Sequence, residues 1–216
     1  AEVGPLVGLG RCLRRLGASG EAMQVALQAL QLAPGDARPA ALLGTLHAER
    51  EELAPAEHWL RRALELAPAD PDRLSDLAVV LEAGDRPEEA LPLLRRALLL
   101  NPDLIRARLN LAVCLRRCGE AQAARLCLEE GLARDPLDPQ LGWLLGQIQL
   151  LEGDYLAGWR GFELRFRRTP ASSLVVDAAE EGRWCPTAAP IAGDAIAGGA
   201  GRLARLRVIG EQGLGD

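Results

Sequence analysis

Residues 68–102 read PADPDRLSDLAVVLEAGDRPEEALPLLRRALLLNP and run from one proline to the next in a step of 34 residues. The same step connects Pro34, Pro68, Pro102, Pro136 and Pro170. Leucines keep it at Leu9, Leu43, Leu77, Leu111 and Leu145, each followed by a small residue (Gly10, Gly44, Ala78, Ala112, Gly146). A second small column runs Ala22, Ala56, Ala90, Ala124, Gly158. Self-similarity at this period means one supersecondary unit copied and stacked, because a lone unit cannot bury its own apolar face.

Inside the quoted unit, Leu74, Leu77 and Leu81 fall at i, i+3 and i+7, the spacing of one face of a first helix, A. Asp70-Pro71, and likewise Asp138-Pro139, set a capping carboxylate before a proline whose φ suits a first helical turn. Gly17, Gly84, Gly119 and Gly153 mark the turn into a second helix, B, where glycine takes a positive φ without strain. The periodic proline then stops helix B. The small columns let the two helices approach closely. The sequence therefore predicts an all-α solenoid of about five helix-turn-helix repeats, at 3–36, 37–70, 71–104, 105–138 and 139–170.

Composition agrees. Hydrophobic residues make up 49% of the 216 residues but aromatics only 3%, so packing rests on Ala and Leu. All 25 basic residues are Arg, which together with abundant Ala, Gly and Pro suggests a GC-rich bacterial source. A net charge of −5 offers nothing to nucleic acid. No run approaches the roughly 18 apolar residues of a membrane helix. The five cysteines form no CxxC pair, and Cys12 and Cys114 share a slot where small apolar residues pack. They read as buried, reduced thiols of a cytoplasmic protein. Cys114, Cys118 and Cys127 lack a fourth ligand for a metal, and no cofactor motif is expected. His47 stands where other repeats carry Leu13, Leu81 and Leu115, and reads as a packed histidine. The chain opens inside the first repeat with neither an initiator Met nor a signal peptide, and so reads as part of a longer protein.

Repeat five departs from the others. Tyr155, Trp159, Phe162 and Phe166 fall at i, i+4, i+7 and i+11 of its helix B, with Trp143 on its helix A. Together with Trp184 of the RWCP stretch they form an expected end-docking face, covered by the following segment or by a second chain. Residues 171–202 read as an irregular linker or cap, and LARLRVI at 203–209 as one strand.

The repeat columns over 3–170 resemble the tetratricopeptide repeat (TPR). That resemblance implies a right-handed superhelix whose concave groove, lined by the A helices, holds a protein or peptide. The family's groove positions fall on Arg11, Arg14, Arg15, Arg38, Glu49, Asp72, Asp76, Glu82, Arg106, Asn110, Arg116 and Arg117. The expected groove is basic at two places with an acidic middle, suited to an acidic or mixed-charge segment. O-linked N-acetylglucosamine transferases present an asparagine ladder there; only Asn110 matches it, whereas Gly8, Leu42, Asp76 and Leu144 do not.

The tail carries a second resemblance. GDYLAGWRGFELRFR at 153–167, then Arg183-Trp184, Pro190 and RVIGEQGLGD at 207–216, look like the junction in bacterial proteins that join such repeats to a heptosyltransferase-like domain. This implies that 203–216 is the truncated start of a Rossmann-like glycosyltransferase domain, with Asp216 matching a candidate general base toward the acceptor hydroxyl. The 216 residues themselves should catalyse nothing; the array would recruit a partner or substrate for the parent enzyme. The alternative is a free-standing adaptor without a catalytic domain.

Overall fold

A computed structural model describes residues 3–164. Within them lie ten helices and no strand: α1 (Val3–Arg15), α2 (Ser19–Leu32), α3 (Ala37–Glu49), α4 (Leu53–Leu66), α5 (Pro71–Ala83), α6 (Pro87–Leu100), α7 (Ile105–Arg117), α8 (Ala121–Arg134), α9 (Pro139–Glu152) and α10 (Tyr155–Phe162). Odd-numbered helices are the A helices and even-numbered ones the B helices. The linker expected at 171–202 and the strand at 203–209 lie outside the described residues.

Local chemistry sets the boundaries. Asp70 accepts from the Asp72 and Arg73 amides, and Asp138 from those of Gln140 and Leu141, with Pro71 and Pro139 opening the helices they cap. Asp36 caps α3 in the same way through the Arg38 amide. Every A-to-B turn closes with one recurring bond, a 6→1 contact from the amide of residue 18, 52, 86, 120 or 154 to the carbonyl five residues before it. These bonds measure 2.8–3.0 Å and satisfy a carbonyl that the helix end would otherwise orphan.

The left-handed residue of that turn is Gly17, Glu51, Asp85, Gly119 or Gly153, with φ between +60° and +87°. This corrects the assignment of Gly84. It sits one residue early, with φ −82°, and the strained position of repeat three belongs to Asp85.

Packing follows the 34-residue columns. Ala22, Ala56, Ala90 and Ala124 are fully buried. A Cβ on Gly44 would stand 2.6 Å from Leu60 Cγ, and one on Gly146 2.6 Å from the Phe162 nitrogen, so in repeats two and five the small residue after the leucine is where helix B comes closest. Each helix packs on its neighbours in sequence, and beyond these the substantial contacts are between successive A helices. One cluster of buried residues runs unbroken from Ala56 to Ile148.

Repeat one differs because no repeat precedes it among the described residues. Leu9 is 50% exposed, whereas Leu43, Leu77, Leu111 and Leu145 are at most 9% exposed. Cys12 is exposed for the same reason, which corrects its expected burial; Cys114, in the same column of repeat four, is buried.

Candidate partner-binding face

The curvature of the array follows from which helices touch. Successive A helices meet (α1 with α3, α3 with α5, α5 with α7, α7 with α9), and no two B helices pack comparably. An array whose A helices stand closer together than its B helices bends toward the A side. The A helices therefore line the inner face.

On that face the structure pairs residues one repeat apart. Arg14 reaches Glu49 at 3.6 Å. Arg106 donates to the Asp72 carboxylate at 2.8 Å and to the Asp72 carbonyl at 3.0 Å, and pairs with Asp76 at 3.2 Å. Arg117 meets the Glu82 carboxylate at 2.6 Å and the Glu82 carbonyl at 2.8 Å, and also Asp85. Asn110 donates to Ser75 Oγ at 3.4 Å. Each exposed pair contributes only about 0.2–1 kcal/mol. Their larger consequence is electrostatic: the acidic middle is neutralised from within the chain. Arg38 folds back onto its own cap, Asp36, through bonds of 2.6–3.1 Å. Arg11, Arg15 and Arg116 are exposed and enter no ion pair among the described residues.

Asp76 is the most enclosed of these acids. Burial pushes its pKa up, outweighing Arg73 at 2.7 Å and Arg106, and the nearby Asp72 and Asp70 add to the rise. Between the charged edges runs a column of uncharged side chains at one place in successive A helices: Thr45, Val79, Val113 and Gln147. Val79 is exposed although β-branched and apolar.

Four of the residues expected at the end face are described. Tyr155 is 67% exposed, and Trp159 meets Phe162 edge to face with centroids 5.6 Å apart. Trp143 is half-buried against the main core. Phe166, Trp184 and Asp216 lie outside the described residues. His47 is half-buried as expected, with Nδ1 2.5 Å from Glu52 Oε2, an anchor for the α3–α4 turn. Cys114 and Cys127 are buried free thiols, and burial pushes both up, Cys114 to about 11, which disfavours the reactive thiolate.

Sequence reasoning missed Arg108. It stands in the column of Leu6, Ala40 and Leu74, yet is only 6% exposed. Its guanidinium donates to the carbonyls of Cys127 (3.2 Å) and Pro102 (3.1 Å) and to Glu130 (3.3 Å). The signal was present: Ala29, Ala63 and Ala97 become Gly131 in this repeat alone among the first four. A Cβ there would lie 2.5 Å from Arg108 Cδ.

Comparison with known proteins closes the assignment. Residues 80–148 match a family model described as tetratricopeptide repeat. The described residues form a tetratricopeptide repeat array. Its TPR units superpose on the crystal structure of YrrB, a TPR protein with an unusual peptide-binding site, with a TM-score of 0.61. That match has 21% identity and covers 82% of this chain and 92% of the other. A mutant O-GlcNAc transferase from Thermobaculum terrenum matches with a TM-score of 0.59 and 29% identity, over 63% of this chain and 29% of that one. Among curated proteins, cellulose synthase operon protein C of Pseudomonas fluorescens (strain SBW25) is 30% identical over 157 residues. That alignment takes in 68% of this chain but only 12% of the relative, so the TPR array corresponds to a small part of that protein's length. Among the described residues no helix is long and apolar enough to cross a membrane.

Proposed function

We propose that this TPR scaffold holds an extended segment of a partner protein along its A-helix face. The observation that carries the reading is the column Thr45, Val79, Val113 and Gln147, solvent-accessible on the inner side between edges whose charges are largely paired within the chain. Apolar contact along that column would supply affinity, and the charged edges would select against unsuitable partners. The peptide-binding site of YrrB, a protein of the same fold, supports this use of the array.

The test is selection of a random phage-displayed dodecapeptide library on the chain. Selected peptides should lose binding to Val79→Glu and Val113→Glu, and keep it with Arg95→Glu on the outer face of α6. Equal binding to all three variants would sink the reading.

A second proposal concerns the parent protein: the array recruits partners for a bacterial, cytoplasmic glycosyltransferase, with Asp216 as its candidate base. The tail's resemblance and the likeness to an O-GlcNAc transferase support it. A free-standing adaptor fits the scaffold equally well. A coding sequence that continues past Asp216 into Rossmann-like alternation, followed by loss of sugar transfer in Asp216→Asn, favours the enzyme. A stop codon there favours the adaptor.

A further inference from the structure

Arg116 and Arg117 are neighbours at the end of α7 and differ in kind. Arg117 is spent on Glu82 and Asp85 of the preceding repeat. Arg116 has no acidic partner among the described residues, and on the side of repeat five it borders an open depression of about 290 Å³. Gln147, Leu150 and Leu151 form the rest of its wall. Leu151 is 78% exposed, an unusual place for a leucine beside a bare guanidinium.

We propose that this depression takes a peptide segment in which a carboxylate stands next to a bulky apolar side chain. The proposal rests on the reading of the A-helix face as the binding face and names the chemistry of its occupant. The apolar side chain would cover Leu150 and Leu151, removing their surface from water. The carboxylate would meet Arg116, whose planar fork suits two parallel bonds. Gln147 carries both a donor and an acceptor and can meet the peptide backbone between them.

Charge complementarity points to an acid over a base. Glu82, one repeat before Arg116, is committed to Arg117 at 2.6 Å, and Glu152, next to Leu151, to Arg125 at 2.8 Å. A lysine or arginine entering here would face Arg116, and no carboxylate lines the depression.

The same dodecapeptide library tests this. Sequences selected on the wild-type chain should be enriched in Asp or Glu within two positions of Leu, Ile or Phe. Selection on Arg116→Glu should lose the acidic preference and keep the apolar one, and Leu151→Ser should do the reverse. A synthetic peptide from the wild-type selection should bind Arg116→Glu about tenfold or more weakly, and Arg96→Glu on the outer face as well as wild type. Absence of acidic enrichment, or its survival on Arg116→Glu, overturns the proposal. If Arg116→Glu is silent while Val79→Glu abolishes binding, the subsite falls and the A-helix face stands; if both are silent, both fall.

Discussion

Repeats three and five use the same 34-residue frame to pack their helices in two different ways. In repeat three, Ala78 and Ala90 are fully buried between α5 and α6, and leucines fill the space around them. In repeat five the corresponding residues are Gly146 and Gly158, with Gly142 and Gly161 beside them. A Cβ on Gly146 would lie 2.6 Å from the Phe162 amide nitrogen and 2.7 Å from the Gly158 carbonyl oxygen. There α9 meets α10 backbone to backbone. The volume lost from the interior reappears as rings on the helix surface, at Tyr155 and Trp159. A repeat frame thus fixes which positions touch, while residue size fixes how closely, and the two can be traded.

Adding volume at the glycine contact should have the largest effect. Gly146→Val places side-chain atoms against backbone that cannot move without parting the helices. It should destabilise repeat five by at least about 3 kcal/mol. Because each repeat leans only on its neighbours, the damage should be local. Hydrogen exchange should quicken through α9 and α10 while α1 to α6 keep their protection. Uniform loss of protection would mean that the array unfolds as one unit.

Ala90→Leu makes the matching change in repeat three. Ala90 already carries a Cβ, so the helices there stand far enough apart for side chains to adjust in part, and the cost should be smaller, about 1–3 kcal/mol. A denaturation midpoint equal to that of Gly146→Val would erase the distinction between the two packings.

The columns explain why so much was legible in advance. Period, register, the Asp-Pro caps and the closeness of A to B are properties of single residue types at fixed spacing. Three-dimensional pairings are not. Arg106 and Arg117 read as free cations along one helix face because their partners lie a whole repeat upstream, at Asp72 and Glu82. Arg108 was lost in an apolar column since nothing local says that a guanidinium can find two carbonyls inside. Gly84 misled because glycine is common at helix ends, and here the strained position took a carboxylate residue instead.

That carboxylate supplies a smaller prediction. Glu51 and Asp85 hold φ of +61° and +60°, where side chains other than glycine are strained. Glu51→Gly should stabilise the array by up to about 1 kcal/mol, matching repeats one, four and five. Asp85→Gly should gain less, since it also releases Arg117. Thermal midpoints of the two variants, measured side by side, check the order.

The smallest effect is expected at Asp76, where burial and ion pairing oppose each other. Burial wins, so the folded chain holds this proton more tightly than the unfolded chain does. The sign follows from linkage: the contribution favours folding below the ordinary Asp value near 4 and is lost as pH rises through the raised folded value. Asp76→Asn removes the titrating group but keeps an oxygen for Arg73 and Arg106. Arg73 retains Asp70 at 3.7 Å, and Arg106 retains Asp72 at 2.8 Å, so neither guanidinium is stranded. The variant should therefore gain stability relative to wild type as pH climbs from 4 toward 7, and lie within about 1 kcal/mol of it at neutrality. Urea midpoints of both proteins across that range measure the difference directly. A gap that moves the other way, with wild type pulling ahead as pH rises, would mean that the two arginines outweigh burial at this site.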